Sequence, residues 1–417
     1  MEKFVIVGGN RLKGSIKANG SKNASLPILA ATLLTGGVCT IHQVPRLKDV
    51  FVMQELLAYL GAKVTFEGNT MTVDGSKVQP QEISEDIMRK MRASNLVLGP
   101  LLGRFGHVKI SHPGGCNIGS RPMNLHFKGL NALKANITEK FGYISADASQ
   151  LTGTVVHFDV PSVGATENMM MAGVLAEGTT VLRNAAKEPE IVDLQNFLNA
   201  LGAKIVGAGT DVIRIEGVKE LGSVTHTVIP DRIEAGTHMI AAAITQGDVT
   251  VTNIIPEHLD PVIYKLKEVG VQVDVGDDWV RVQGTGQLKA VDIKTMPYPG
   301  FPTDMQSQMM ALLSIADGTS VITETIFENR FKHVPEFRRM GADIYLEGHT
   351  AVVKGVKRLT GACVEATDLR AGAALILAAL AGENGTVLSN ISHIDRGYER
   401  IEIKYNSLGA RIIRVNS

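Results

Sequence analysis

The sequence predicts an α/β protein with two globular halves, each built from three copies of a unit of strands and two helices. Three observations predict this fold: the chain length, a pattern that recurs six times, and helices that are apolar on nearly every face. The 417 residues exceed one ordinary core and suit two domains of about 200 residues. Hydrophobic residues make up 44% and charged residues 20%, which indicates a packed interior rather than disorder.

The recurring pattern is an amphipathic helix that ends in a small residue, usually glycine, and runs into a β-branched strand. Glycine just past a helix end accepts the left-handed backbone that stops a helix. The copies lie about 70 residues apart, too far for the common solenoid repeats. They occupy residues 60–64, 133–137, 201–205, 269–273, 340–344 and 408–412. Six copies indicate two halves of three units, with a crossing point near Pro230 and Asp231.

A second helix lies upstream of each copy and is rich in alanine and leucine. Residues 30–37, 172–178 and 378–382 show it running into glycine and then an alternating strand. A helix that is apolar on nearly every face is normally buried within a layer of other structure. Each unit therefore has one helix inside and one outside.

Charge and cysteine content exclude several classes of protein. With 42 basic and 42 acidic residues the net charge is zero, so a long-range field for nucleic acid or acidic membranes is absent. The N-terminal apolar run is too short for a signal peptide or a membrane span. Cys39, Cys116 and Cys363 lie far apart and fit neither a metal site nor a disulfide framework, which favours the cytoplasm. Cys39 and Cys363 are predicted to be small buried hydrophobes.

The segment 113–125 carries the strongest chemical signal. Three glycines in seven residues indicate a loop, and a cysteine in such a loop is accessible. Arg121 follows Cys116, while Lys109 and His112 precede it. Because neighbouring cations lower the pKa of a thiol, this loop predicts a reactive Cys116.

Lys22 and Asn23 open an apolar helix. Backbone donors at a helix start, together with a lysine, suit a phosphate or a carboxylate. The spacing is not that of a Walker loop. The alternative for Lys22 alone is a solvated surface lysine.

Asp304 stands at the entrance to another apolar helix, after a stretch stiffened by two prolines. Either Thr303 or Asp304 caps that helix, or Asp304 is a carboxylate base held at a fixed point. Arg370 also opens an apolar helix, and Arg396 lies in a polar segment near the end. The alternative for either arginine alone is a surface ion pair that contributes little.

These segments together resemble the enolpyruvyl transferase family, and within it the branch that acts on UDP-N-acetylglucosamine. The resemblance covers essentially the whole chain. It implies two inside-out α/β barrel-like domains with buried helices and outward-facing sheets, formed by residues 22–229 and by 1–21 plus 230–417, with the active site in the cleft between them. The most specific segments are Lys22-Asn23, the Cys116 loop with Arg121-Pro122, residues 299–304 and residues 327–331.

The resemblance implies addition of a sugar 3-hydroxyl to phosphoenolpyruvate, followed by loss of phosphate, with no metal or organic cofactor. Cys116 matches the family's proton donor, which also forms the adduct with phosphoenolpyruvate and is the target of fosfomycin. Asp304 matches the base, and Lys22 and Arg396 complete the catalytic set. The implied phosphoenolpyruvate contacts are Lys22, Asn23, Arg121, Arg370 and Arg396. The implied UDP-N-acetylglucosamine contacts are Arg92, Arg121, Pro122, Met123, Asn124, Leu125, Asp304 and Ile326. Asn124 is a departure from the family pattern, because many relatives carry an acidic residue there.

Two other functions stay open at this point. One is the sister reaction on shikimate 3-phosphate, whose enzymes have a Gly-Ser-Lys-Ser motif and no cysteine loop. The other is a non-catalytic paralogue that binds the UDP-sugar and regulates the pathway. The expected partners are the two substrates, with neither nucleic acid nor membrane insertion, and a monomer is favoured.

Overall fold

The computed structural model describes residues 2–112, 118–119 and 123–416, and for Arg92 the backbone only. The described residues divide into two compact units. The first unit comprises residues 20–112 and 123–229. The second unit comprises residues 2–19, 118–119 and 230–416.

The strands of the described residues are short and lie in six small sheets. In chain order they are β1 (Glu2–Val7), β2 (Lys13–Lys17), β3 (Val38–His42), β4 (Lys63–Glu67), β5 (Thr70–Asp74), β6 (His107–Ser111), β7 (Asn136–Lys140), β8 (Tyr143–Asp147), β9 (Val155–His157), β10 (Thr179–Arg183), β11 (Lys204–Val206), β12 (Val212–Glu216), β13 (Val224–Thr227), β14 (Asp248–Thr252), β15 (Gln272–Val275), β16 (Trp279–Gln283), β17 (Ile293–Lys294), β18 (Thr319–Thr323), β19 (Asp343–Glu347), β20 (Thr350–Lys354), β21 (Cys363–Glu365), β22 (Gly385–Ser389) and β23 (Arg411–Asn416).

Each unit holds three of these sheets. The first unit has the strand orders β13-β3-β5-β4, β6-β8-β7 and β11-β12-β10-β9. The second has β21-β22-β1-β23, β15-β16-β14-β2 and β17-β18-β20-β19. Every four-stranded sheet joins one parallel edge strand to antiparallel neighbours. In β6-β8-β7 a single parallel bridge between Ile83 and Ile110 lies where the parallel strand stands elsewhere. This shared pattern agrees with the predicted repeats.

The helices alternate between inner and outer positions. In chain order the α-helices are α1 (Lys22–Ala31), α2 (Lys48–Tyr59), α3 (Glu85–Met88), α4 (Leu98–Phe105), α5 (Asn124–Ala132), α6 (Val163–Gly173), α7 (Pro189–Ala200), α8 (Arg232–Ile244), α9 (Asp260–Val269), α10 (Gln306–Leu313), α11 (Val334–Arg339), α12 (Leu369–Ala381) and α13 (Ile401–Ser407). The 3-10 helices are Thr32–Leu34, Arg92–Val97, Pro256–Leu259, Thr303–Met305 and Ile391–Arg396.

The apolar helices are buried, as the sequence predicts. In the second unit α8, α10 and α12 contact one another. All residues of α12 except Ala381 are buried, and so are all residues of α10. The strands of both units bury alternate residues, so one face of each sheet lies on the core and the other faces outward. The hydrophobic residues form a separate core cluster in each unit.

The repeated helix–strand junctions follow the backbone rule that predicts them. In five copies the helix ends at a glycine with φ between +86° and +110°, namely Gly61, Gly202, Gly270, Gly341 and Gly409. In the remaining copy Lys134 takes a φ of +70°. The tertiary structure therefore imposes the left-handed conformation even where the sequence offers a residue that disfavours it.

One hairpin departs from its counterparts. The turn between β7 and β8 passes through Phe141 and Gly142, with φ values of +55° and +79°. The hairpins β4–β5 and β19–β20 place Gly68 and Gly348 at the first of these positions, also with φ +55°. Left-handed backbone costs a residue with a side chain about 1–2 kcal/mol. Phe141 is 98% exposed, so packing does not offset that cost.

The two described cysteines differ. Cys39 is fully buried, and burial raises the pKa of its thiol to about 12, which confirms the prediction of a small hydrophobe. The same prediction is wrong for Cys363, which is exposed. Cys363 lies on the edge strand β21, where alternate residues face outward, and its place in the alternation decides its exposure. No helix of the described ranges has the length and apolarity to cross a membrane.

Candidate active site

Lys22 is the first residue of α1, and Ser21 caps that helix by accepting the backbone N–H of Ala24 at 3.2 Å. The Lys22 side chain is buried, and its Nζ lies 2.7 Å from Oδ2 of Asp49, which is also buried. The alternative of a solvated surface lysine is therefore wrong. Asn23 follows in the first turn and is half-buried. An ammonium buried at the start of a helix is suited to binding an anion.

A buried amide organises the region around Arg92, Met123, Asn124 and Leu125. Asn168 of α6 accepts the N–H of Gly99 at 2.7 Å and donates to the carbonyl of Asn95 at 3.3 Å. Its Nδ2 also lies 3.2 Å from Nδ1 of His126. One side chain thus joins α6 to the 3-10 helix that begins at Arg92, to α4 and to α5. Because Asn168 is fully buried, these four elements hold one another in place.

The start of α5 presents three of the expected UDP-sugar contacts in different environments. Met123 is buried, and its Sδ lies 3.2 Å from Nδ2 of Asn95. Asn124 is exposed as the first residue of the helix, and Leu125 is half-buried against the core. Only Asn124 of the three therefore offers a fully accessible polar group.

Cys116, Arg121 and Pro122 lie outside the described residues. Ile118 and Gly119, which follow the cysteine, lie in the second unit. The carbonyl of Ile118 accepts the N–H of Asn329 at 2.9 Å. A Cβ on Gly119 would lie 2.3 Å from Oε2 of Glu328. Gly119 therefore lies directly against this carboxylate, and the contact brings together two of the segments on which the family resemblance depends.

Asp304 is the centre of an ion-pair network in the second unit. Its Oδ1 lies 2.9 Å from Nη2 of Arg330, and its Oδ2 lies 3.0 Å from Nη2 of Arg370. Both arginine side chains are at most 3% exposed, whereas that of Asp304 is 27% exposed. Neither Thr303 nor Asp304 stands at an N-cap position, because Pro302 precedes the 3-10 helix Thr303–Met305 and Met305 precedes α10, so the capping interpretation is wrong. Two buried cations fix this carboxylate and leave part of it accessible.

Arg370 is a buried cation at the start of α12. Asp368, the residue before α12, caps this helix by accepting the backbone N–H groups of Arg370 and Ala371. Burial lowers the pKa of the Arg370 guanidinium, but the charge of Asp304 and the hydrogen bond to Tyr398 more than compensate, so that pKa is well above its usual value. The surface ion pair considered for Arg370 is therefore ruled out by its burial.

Arg396 ends the 3-10 helix Ile391–Arg396 and is half-buried. That helix contacts α12, which carries Arg370. Tyr398, two residues after Arg396, connects this segment to Arg370, because its hydroxyl accepts a hydrogen bond from Nη1 of Arg370 at 3.2 Å. The same hydroxyl lies 3.0 Å from Oγ1 of Thr237 on α8. Burial raises the pKa of the Tyr398 hydroxyl, so it stays neutral beside the arginine.

Glu324 positions the backbone around Asp304 and Ile326. This buried carboxylate accepts hydrogen bonds from Oγ1 of Thr295 and Oγ1 of Thr303, both at 2.9 Å. It also accepts the backbone N–H of Ile326 at 2.8 Å. Ile326 is half-buried, and its position is set by this carboxylate.

Sequence reasoning missed several residues of this arrangement. Arg330 lies inside the segment 327–331 that supports the family resemblance, and that segment is the signal that could have found it. Glu324, Asp49 and Asn168 have no motif of their own, and only the folded chain shows their partners. The described ranges contain no group of three or more His, Cys, Asp or Glu side chains able to hold a metal ion.

The described residues thus form two units of three small sheets around buried helices, with buried cations and a carboxylate held by two of them. The chain belongs to the EPSP synthase (3-phosphoshikimate 1-carboxyvinyltransferase) family, whose pattern matches residues 6–404.

The curated relatives are similar over their full length. A protein of Carboxydothermus hydrogenoformans named UDP-N-acetylglucosamine 1-carboxyvinyltransferase 1 is 59% identical over 416 residues, which cover 100% of this chain and 99% of that protein. A protein of Geotalea uraniireducens named UDP-N-acetylglucosamine 1-carboxyvinyltransferase is 57% identical over 415 residues, covering 100% of both chains.

Solved structures confirm the fold class. The enolpyruvyl transferase NikO from Streptomyces tendae matches with a TM-score of 0.90 and 27% identity, covering 100% of this chain and 99% of that one. EPSP synthase from Acinetobacter baumannii matches with a TM-score of 0.76 and 18% identity over 100% of both chains. At that identity the second likeness concerns the fold alone.

Proposed function

We propose that this protein transfers the enolpyruvyl group of phosphoenolpyruvate to the 3-hydroxyl of UDP-N-acetylglucosamine and releases phosphate, the first committed step of peptidoglycan synthesis. The observation that carries the proposal is the pairing of Asp304 with two buried arginines, in a chain whose relatives at 53–59% identity bear the name of that enzyme. The two units serve as its two domains, each with three repeats.

Binding of phosphoenolpyruvate requires several cations, because the molecule carries a phosphate and a carboxylate. We assign this role to Lys22, Arg121, Arg370 and Arg396, with Asn23 as a further donor. The burial of Lys22 and Arg370 supports the assignment, since ion pairs are stronger away from water. Guanidinium groups bind such oxygens through paired hydrogen bonds.

The proposed chemistry is an addition followed by an elimination. The 3-hydroxyl oxygen bonds to C2 of phosphoenolpyruvate, its proton passes to a base, and C3 gains a proton. C3 then loses a proton as the C2–O bond to phosphate breaks, which restores the double bond. We assign Asp304 as the base or orienting group for the hydroxyl, because 27% of its side chain stays accessible while both oxygens are held.

Recognition of UDP-N-acetylglucosamine is assigned to Arg92 and Arg121 through Leu125 in one region of the sequence, and to Asp304 and Ile326 in another. The Asn168 network supports the first group, since it joins the helix of Arg92 to the helix of Asn124. Glu324 supports the second group through Thr303 and the backbone of Ile326.

We assign proton donation to Cys116. Cys116→Ser should lose most turnover and still bind the UDP-sugar, because a hydroxyl is too weak an acid. Cys116→Asp should keep measurable turnover with a lower pH optimum, since the unperturbed carboxyl pKa is about 3.9, and it should resist fosfomycin. A pH–rate profile of both variants checks this. Equal inactivity of the two variants would instead indicate that a covalent bond through sulfur is what the reaction requires.

The test of the whole proposal is phosphate release from phosphoenolpyruvate with and without UDP-N-acetylglucosamine. Release should depend on the UDP-sugar. Release that depends on shikimate 3-phosphate would establish the sister activity, and binding without release would establish a regulatory paralogue.

We also propose that the reaction takes place in the cytoplasm, as the unbridged state of Cys39 and Cys363 supports.

A further inference from the structure

The second unit contains a cavity of about 460 Å³ that no proposed substrate contact lines. One wall is the face of α9 that carries Tyr264 and Lys265. The other wall is the edge of the sheet β17-β18-β20-β19, with Lys294 and Thr323, and Phe301 also lines the space. Its volume lies within the range of ordinary small-molecule sites, about 300–1,000 Å³.

The walls of this cavity combine aromatic surface with positive charge. Tyr264 is 68% exposed on α9, although a large aromatic ring on a helix surface gains nothing from water. Lys294 is exposed, and no carboxylate of the described residues lies within ion-pair distance of it. Lys265 pairs with Glu268 at 2.8 Å, and the nearby Asp292 accepts the backbone N–H of Val321 at 2.8 Å.

This chemistry selects one class of ligand. The rings of Tyr264 and Phe301 suit a flat aromatic group, and the two ammonium groups suit an anion attached to it. Asp292 keeps its negative charge while it binds the backbone, so the lining residues carry two ammonium groups against one carboxylate and are positive on balance. A planar aromatic carboxylate satisfies both requirements.

Three segments connect the cavity to the network around Asp304. Lys294 precedes Thr295, and Thr323 precedes Glu324, which accepts the hydroxyl hydrogen bond of Thr295. Phe301 is joined to Thr295 by a backbone bridge and is followed closely by Thr303, the other hydroxyl donor to Glu324. A ligand that shifts these walls therefore shifts the carboxylate that positions the backbone next to Asp304.

We propose that this cavity is a second ligand site, for a small aromatic carboxylate, and that its occupancy alters substrate binding through Phe301 and Glu324. Binding to the cavity is independent of the proposed function. The effect on the UDP-sugar rests on the proposed function, so the two parts are measured separately. Packed walls of this kind transmit displacement because protein interiors are nearly incompressible.

The binding test uses 2-naphthoate as the probe, titrated into the full chain by calorimetry without substrates. A dissociation constant below about 1 mM is expected for a ligand of this size. Lys294→Ala and Tyr264→Ala should each weaken binding about fivefold or more. Lys267→Ala and Tyr345→Ala are matched controls, because Lys267 is exposed on the same helix outside the cavity and Tyr345 is 63% exposed elsewhere in the unit. They should leave binding unchanged.

Failure to bind 2-naphthoate at several times that concentration, or equal binding by the cavity variants and the controls, would overturn the site. 2-Naphthylmethylamine, with the opposite charge, should bind more weakly, and equal binding would overturn the role of the lysines.

The coupling test measures the dissociation constant of UDP-N-acetylglucosamine with and without saturating 2-naphthoate. It also measures the dissociation constant of 2-naphthoate with and without saturating UDP-N-acetylglucosamine. Thermodynamic linkage requires the same factor in both directions, and about fivefold is expected. Lys294→Ala should abolish the factor and keep the basal affinity for the UDP-sugar. An unchanged affinity in both directions, in protein shown to bind the probe, would overturn the coupling. Absence of UDP-sugar binding in untreated protein would instead count against the proposed function.

Discussion

Replacement of Asp304 by alanine tests whether this carboxylate balances buried charge. Asp304 is not the N-cap residue of either adjoining helix. Its removal should therefore lower the free energy of unfolding by more than the loss of a cap does, which is about 0.5–2 kcal/mol. It contacts Arg330 and Arg370, whose side chains are 3% and 2% exposed. Asp304→Ala would leave both guanidinium groups buried without their carboxylate.

The magnitude follows from the burial of the three groups. Removing one partner of a buried ion pair costs about 3–5 kcal/mol. The lower end applies here, because Asp304 is 27% exposed and Arg370 keeps its hydrogen bond to Tyr398 at 3.2 Å. A loss of about 3 kcal/mol corresponds to a decrease of roughly 6–12 °C in the melting temperature of a unit of this size. Turnover should fall roughly 10²-fold if the carboxylate assists proton transfer.

The assay is thermal unfolding followed by calorimetry, with turnover measured well below the transition. Asp248→Ala is the control, because Asp248 binds Arg281 through two bonds of 2.8 Å at a surface where both side chains are about 40% exposed. That variant should lose less than about 1 kcal/mol. Asp304→Asn separates charge from shape, since it keeps a hydrogen-bond acceptor for the arginines. Equal melting temperatures for Asp304→Ala and Asp248→Ala would refute the charge argument, and normal turnover in Asp304→Asn would refute the base.

Three further predictions concern other parts of the chain. Burial raises the pKa of Glu234, but Lys404, 2.7 Å away, and His238 lower it to about 2. Glu234 therefore contributes stability that is present above pH about 4.3 and is lost as the pH falls toward 2. Lys404→Met should shift this acid unfolding, followed by circular dichroism, to higher pH, and an unchanged midpoint would contradict the ion pair. Iodoacetamide at pH 8 should label Cys363 but not Cys39 in the native protein, as peptide mass analysis would show, and labelling of both would contradict the burial of Cys39. Phe141→Asn should raise stability by about 1 kcal/mol, because asparagine tolerates left-handed backbone, and denaturant unfolding that shows a loss would contradict the strain.

The sequence alone determined the repeats, the buried helices and the places where helices stop. These features depend on residues close in the chain: apolar residues on every face of a helix bury it, and a glycine after the last turn ends it. Lys22, Asp304 and Arg370 could be predicted as site residues because each lies at the start of such a helix, within a segment that resembles a known family.

The tertiary structure decided which charges meet. With 42 basic and 42 acidic residues, no local pattern selects Arg330 and Arg370 as the partners of Asp304, or Asp49 as a partner of Lys22. An ion pair is non-local and has no period, and its partners are chosen by how the helices pack. The same limit leaves a helix cap open for Asp304 in the sequence. A carboxylate at a helix entrance has the same local sequence whether it binds the backbone or a distant guanidinium.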